Sequence, residues 1–465
     1  MKQHDVVVIG AGLTGLSVAY NLKLMGCDVV VLEKENRIGG QIRTYTEEEF
    51  TFESGPNTGV VSFPEVAELF QSLGDRCQLE IARESSKRRL IWKGDRFHAL
   101  PSGPVGGLTT PLFSLSDKFR ILGEPWRKPG NDPDESVGAL AIRRLGQSFY
   151  DYAVDPFVSG VYAGDPMKLT TRYALPKLYN LEARYGSFIR GSIAKAKESG
   201  VRSQESGVRS QEMERSRLAT KKVFSAVGGL QRMVDAMAQG LNITLGAKEV
   251  KVEPQGDGRW SVSYEGGESV SCRQVVTTVG AYALPKMLPF VEEEQTQTFS
   301  SLFYAPIIQA VLGVRDARGL SVPAFGGLVP SREQKQVLGI LFPSSCFTGR
   351  APEGGALYSY FIGGARHTDY MQKSDEEIRE IVIEAFHQML KYPADMKPDL
   401  LRIFRHQHAI PQYWSDSGER FKTIERLQSQ YPGLTLAGNM RDGIGMGNRI
   451  HQGAEVAKQL IQKLN

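Results

Sequence analysis

Residues Asp5–Glu35 read DVVVIGAGLTGLSVAYNLKLMGCDVVVLEKE, and they restrict the fold more than any other stretch. Asp5–Ile9 is a buried-strand pattern. Gly10, Gly12 and Gly15 follow as G-x-G-x-x-G, and Leu16, Ala19, Tyr20 and Leu22 then recur at helical spacing. Val29–Leu32 is a second apolar strand that ends in Glu33. Gly10 suits a tight turn, Gly12 lets backbone approach a pyrophosphate, and Gly15 lets helix and strand pack closely. Unpaired N–H groups at the helix N-terminus attract phosphate. Glu33 can accept both hydroxyls of a ribose and would repel a 2′-phosphate. A glycine pattern alone is weak; with a strand before, a helix after and an acid closing the second strand, it predicts a bound dinucleotide. Ala11, Leu13, Thr14 and Lys34 are candidate contacts with it.

The 465 residues suffice for two or three domains, and 41% apolar with 23% charged residues is ordinary globular composition. Cys27, Cys77, Cys272 and Cys346 form no CxxC pair, which argues against a disulfide framework and for a reducing compartment. His406 and His408 lack a third ligand, so no metal site is expected. Lys195–Lys222 holds eight basic and four acidic residues, which is the entire net charge of +4. The basicity is therefore local and gives no nucleic-acid stripe. That segment also repeats itself: ESGVRSQ occurs at Glu198–Gln204 and again at Glu205–Gln211. Short of apolar residues, 197–218 is expected to be a disordered insertion. The apolar stretch Val6–Tyr20 is interrupted by glycines and lacks a cleavage site, so it reads as strand, turn and helix rather than a signal peptide. No run reaches the length of a membrane span.

Further motifs narrow the cofactor. RIGGQIRT (Arg37–Thr44) places the doublet Gly39-Gly40 beside Gln41 and Arg43; it resembles the extended FAD motif of amine-oxidase-like flavoproteins. Arg43 can pair with phosphate. Near the C-terminus, LTLAGNMRDGIGMGNRIHQGAEVAKQLIQKL reads as strand, glycine-rich turn and helix. In such flavoproteins this helix aims its N-terminus at the flavin N1–C2=O edge and favours uptake of a hydride. Ile444, Gly445 and Met446 would lie beside the ring. No cysteine stands near this turn, so the FAD is expected to be non-covalent.

FESGPNT (Phe52–Thr58), HALPSGP (His98–Pro104), LGEPW, the long DPFVSGVYAGDPMKLTTRYALPKLYNLEARYGS (Asp155–Ser187), FGGLVPSREQ (Phe325–Gln334), FTGRAP (Phe347–Pro352) and LAGN are similar to the protoporphyrinogen oxidases, FAD enzymes of haem and chlorophyll synthesis. The resemblance spans nearly the whole chain, the repeat excepted. SGVYAGDP is its most discriminating element.

The resemblance implies an α/β fold: a Rossmann-like FAD-binding domain, a mixed-sheet substrate domain and a helical, membrane-facing subdomain. The FAD domain would comprise 1–80, 219–288 and 409–465; the substrate domain 81–107 and 289–408; the helical part 108–196. Gly55, Pro56, Asn57, Thr58 and Val250 become FAD contacts. Gly160 would offer a carbonyl from an irregular loop to a pyrrole N–H, with Leu328 and Phe347 as apolar walls. Arg88 would hold a propionate, with Arg89 or Arg172 as fallback. The implied reaction is three hydride transfers to FAD with O2 as acceptor, converting protoporphyrinogen IX to protoporphyrin IX without a catalytic acid or base. Coproporphyrinogen III oxidation, amine oxidation and carotenoid desaturation are the alternatives. A cytoplasmic location, peripheral contact with the inner membrane, a homodimer and hand-over to a ferrochelatase complete the expectations.

Overall fold

The computed structural model describes residues 2–201 and 209–464. The strand, turn and helix anticipated at the N-terminus are Lys2–Ile9, the glycine turn and Leu13–Leu24. Lys2–Ile9 pairs in parallel with Val29–Leu32 on one side and Val270–Thr277 on the other. Asn242–Thr244 extends the sheet beyond Val29–Leu32, and Leu434–Leu436 pairs in parallel with Val270–Thr277. An antiparallel hairpin, Lys251–Pro254 with Trp260–Ser263, closes the far edge. Strands from the start, middle and end of the chain thus share one seven-stranded sheet. Both faces are covered, as the near-continuous Val/Ile runs require. Leu13–Leu24, Gln231–Ala238 and Met446–Leu464 pack on one face, and Leu284–Met287, Glu293–Ser300 and Ser417–Gln430 on the other.

A second seven-stranded sheet is mixed. Its order runs Leu400–Pro411, Tyr304–Val314, Ala356–Gly363, Gly339–Leu341, Gly326–Leu328, Arg89–Lys93, Arg96–Ala99. One face carries Trp92, Ile308, Ile340 and Tyr360, and it is buried under helix Asp375–Met389. A Ser374–Glu377 capping box starts that helix. On the other face Val311 and Leu357 pack against Phe50 and Phe52 of the hairpin Thr44–Glu47/Phe50–Glu53.

The segment from Gly103 to Val201 is helical and arches over this second face. Buried charge fastens it: Arg144 pairs with Glu124 and Glu182, both groups fully or largely withdrawn from water.

Two expectations change here. The SGVYAGDP stretch is not irregular throughout, because helix Asp155–Tyr162 runs through Gly160 before Ala163 turns left-handed at φ 50°. Disorder across 197–218 does not hold for Arg209–Arg217, a helix in which Arg215 donates to Glu65 at 2.6 Å and to Glu68 at 2.8 Å. Ion pairs supply the anchor that composition does not reveal. Residues 202–208 of the repeat lie outside the described residues.

Candidate active site

The N-terminal turn is built to meet an anion. Gly10 adopts φ 101°, a left-handed conformation that glycine tolerates. A methyl on Gly15 would overlap the Gly10 carbonyl, so glycine there sets how closely helix and strand approach. At Gly12 an added Cβ would meet nothing within 4 Å: the space before it is open. Gly12 also caps the helix without any side-chain hydrogen bond, which leaves the first N–H groups available. Glu33 is buried at the end of its strand; one oxygen accepts the Ala11 N–H at 2.7 Å and the other the Glu35 N–H at 2.9 Å. Free donors beside a fixed carboxylate fit the pyrophosphate and ribose of a dinucleotide.

The glycine doublet is stitched to this turn. Gly39 N–H donates to Ala11 O at 2.8 Å. Arg37 wraps the loop, donating to Gly40 O at 2.6 Å and to the Ile38 and Ile42 carbonyls. Arg43 lies 4.6 Å from the centre of the Tyr45 ring. A Cβ on Gly55 would overlap Gln41 O, so backbone from GGQ and from FESGPNT run in contact. Gln41 also donates to His408 O at 2.8 Å. Asn57 donates to Gly55 O at 2.9 Å and accepts Ser359 Oγ at 3.0 Å.

That last bond leads into the second sheet. Cross-strand partners share a face. Ile91, Leu328, Gly339, Phe361, Gln309 and Phe404 are successive partners across five strand pairs. Gln309 donates from this face to Glu53 O at 2.8 Å. The strand face and the FESGPNT segment are therefore one hydrogen-bonded unit. Leu328 Cδ2 reaches up to Gly160. At the end of its helix, Ala163 and Gly164 N–H both return to Val158 O, and among the described residues no backbone donor reaches Gly160 O. Ile444 packs on the cluster that contains Val158 and Tyr162, and Met446 Cε touches the space beside Gly59.

The whole arrangement can be compared with known proteins. The family of flavin containing amine oxidoreductases matches residues 13–461. The chain belongs to that family. It is accordingly an FAD-dependent oxidoreductase. Among curated relatives, the chain is 30% identical to the mitochondrial protoporphyrinogen oxidase of Nicotiana tabacum, over 99% of this chain and 95% of that one. It is 29% identical to protoporphyrinogen oxidase 2 of Arabidopsis thaliana (99% and 94%) and 27% identical to protoporphyrinogen oxidase of Homo sapiens (98% and 98%). Among solved structures, cyclohexylamine oxidase from Brevibacterium oxydans shares the fold with a TM-score of 0.70 at 14% identity, over 99% of both chains. A protein from Exiguobacterium sp. 255-15 does so with a TM-score of 0.79 at 20% identity, also over 99% of both.

Not every candidate residue converges. Lys34 is exposed and pairs with Glu35 at 3.6 Å. Val250 is half-buried at the margin of the core under the first sheet. Leu13 and Thr14 open the first helix, and Pro56 and Thr58 flank Asn57. Phe347 is buried after the short helix Pro343–Cys346, with the Arg350 guanidinium 5.5 Å from its ring, and is on no strand of the Leu328 face. The aromatics on that face are Phe404, which packs on Tyr45 and Phe52, and Phe361 beside Gly339, which sequence reasoning missed. Arg88 precedes the strand, and its carbonyl accepts the Phe325 N–H. Arg89 opens the strand two residues before Ile91, so it projects to the same face, 4.7 Å from the Phe325 ring. Arg172 is paired with Asp134 at 2.7 Å.

Proposed function

We propose that the protein oxidises protoporphyrinogen IX to protoporphyrin IX. The observation that carries this reading is the apolar strand face of Ile91, Leu328 and Phe361, bonded to the flavin motif through Ser359–Asn57 and roofed by Gly160. A large apolar macrocycle fits such a face, and the Gly160 carbonyl, which no backbone donor among the described residues reaches, offers a pyrrole N–H an acceptor without charge. An amine substrate would need exposed rings around the flavin. Instead the Tyr413 hydroxyl is spent on Asn439 O at 2.8 Å, and Trp414 stacks on Phe303.

When bound, FAD supplies the hydride acceptor and the route to O2. The protein's share is placement. The uncapped helix start and Glu33 hold the nucleotide end; Gln41, Gly55 and Asn57 hold the chain around the ring. Phe361 and Leu328 orient the macrocycle, and Arg89 draws a propionate to the rim. Binding energy at the rim is spent on orientation at the reacting bridge. No acid or base is assigned.

Residues 1–80, 219–288 and 409–465 form the FAD-binding unit on this reading, with 81–107 and 289–408 on the substrate. The helical part touches a membrane surface: Leu108, Leu115, Phe119, Leu122 and Trp126 are all more than 60% exposed within 19 residues of chain. Among the described residues no helix is long and apolar enough to cross a membrane. The experiment is anaerobic mixing with protoporphyrinogen IX, in which the flavin absorbance should bleach. Persistent oxidised flavin would contradict the reading.

A further inference from the structure

Arg449 stands on the first turn of the closing helix, Met446–Leu464, and is only 7% exposed. Buried charges are ordinarily paired. Among the described residues no carboxylate forms an ion pair with this one. Nη1 donates to Gln452 Oε1 at 2.7 Å, Nη2 donates to Arg441 O at 2.9 Å, and Nε has no partner. Gln452 in turn accepts the Gly438 N–H at 2.9 Å and donates to Asp442 Oδ2 at 2.7 Å. The other charges near the guanidinium are those of Asp442 and Arg441, themselves 3.1 Å apart, and the buried phenols of Tyr413 and Tyr304 lie around it. One cation is thus left without a counter-charge, three residues along the helix from Met446.

We propose that Arg449 is a positioning residue whose counter-charge is the flavin itself, the negative charge gained at the N1–C2=O edge on reduction. Its two bonds, with those of Gln452, clamp both ends of the Gly438–Gly443 loop, so the turn Ile444–Met446 is presented in one place. Its charge adds to the helix dipole in a medium of low dielectric. A lone buried cation is costly while the flavin is oxidised and is repaid when the flavin is reduced, which raises the reduction potential. The inference rests on the reading that places the flavin edge at Ile444–Met446.

The test uses the FAD-loaded protein and four variants, with sulfite affinity and two-electron midpoint potential as readouts. Sulfite adds to the flavin and places negative charge on the same edge. Arg449→Met should weaken sulfite binding about tenfold or more and lower the potential by about 30 mV per tenfold. Arg449→Lys should recover most of both. Asp442→Asn, at an exposed site, removes a neighbouring negative charge and should shift both readouts the other way. If Arg449→Met lowers thermal stability but leaves potential and sulfite affinity at the parent's values, Arg449 is a loop clamp alone and the proposal is overturned. Should that variant not fold, an unmoved potential in Asp442→Asn overturns it equally. Gly445→Val separates the underlying reading: normal FAD loading there shows that the ring edge lies elsewhere, whereas lost loading with a silent Arg449→Met condemns the Arg449 proposal only.

Discussion

Leu328 Cδ2 occupies the space where a side chain on Gly160 would stand. The glycine therefore serves contact between the roof helix and the strand face as well as its carbonyl. Gly160→Val should push Leu328 into the substrate space while the flavin spectrum stays unchanged. Overpacking of about 1–3 kcal/mol corresponds to a loss of roughly five- to 150-fold in kcat/KM. Adding Leu328→Ala should restore part of it. Steady-state kinetics of the single and double variants check this; no recovery in the double variant would mean that the two residues do not act through each other.

Arg89 and Phe361 share the face of Leu328, whereas Arg88 and Phe347 do not lie on it. Arg89→Ala should raise KM about tenfold with little change in kcat, since a rim propionate is held equally before and during hydride transfer. Arg88→Ala should move KM far less. Phe361→Ala should lower kcat/KM, and Phe347→Ala should chiefly lower thermal stability, because it empties a buried site beside Arg350. Kinetics paired with thermal melts separate the four.

Glu33→Ala removes the carboxylate that fixes the Ala11 and Glu35 N–H groups. Charge-assisted hydrogen bonds contribute roughly 1.5–3 kcal/mol each, so FAD retention after dialysis should fall by more than tenfold in affinity. Equal occupancy in the variant would remove Glu33 from the cofactor site.

Glu53 is buried among Leu230 N–H, the Thr44 hydroxyl and Arg350, and burial outweighs those partners, so its pKa is pushed up to about 7. The sign follows from linkage. Between the ordinary value of 4.5 and about 7, the unfolded chain releases the proton while the folded one keeps it. Stability should therefore decline as pH rises through that window, by an amount on the order of 3 kcal/mol, and level off above it. Glu53→Gln should flatten the decline. Denaturant unfolding of both proteins from pH 4.5 to 8 measures the difference.

What the sequence discloses depends on how local the cause is. Gly10, Gly15 and Glu33 could be read because the strand, turn and helix that use them are consecutive. Phe361 could not: its place beside Leu328 comes from register with Gly339, on a strand reached only after the Pro343–Cys346 turn. Arg88 and Arg89 differ only by where a strand begins. Arg209–Arg217 looks polar enough for disorder, but Arg215 finds two glutamates that are distant in the chain. Arg449 carries no motif; its meaning lies in its having no ion-pair partner among the described residues.

On the function proposed above, this flavoprotein's substrate is protoporphyrinogen IX. This assignment is tested most directly by rapid anaerobic mixing of the FAD-loaded protein with protoporphyrinogen IX and, in parallel, with coproporphyrinogen III, following flavin absorbance. Protoporphyrinogen IX should bleach the flavin at a rate sufficient for turnover, the yellow form should return with hydrogen peroxide on admitting air, and coproporphyrinogen III should show a lower kcat/KM. Faster reduction by coproporphyrinogen III, or no bleaching by either, would contradict it.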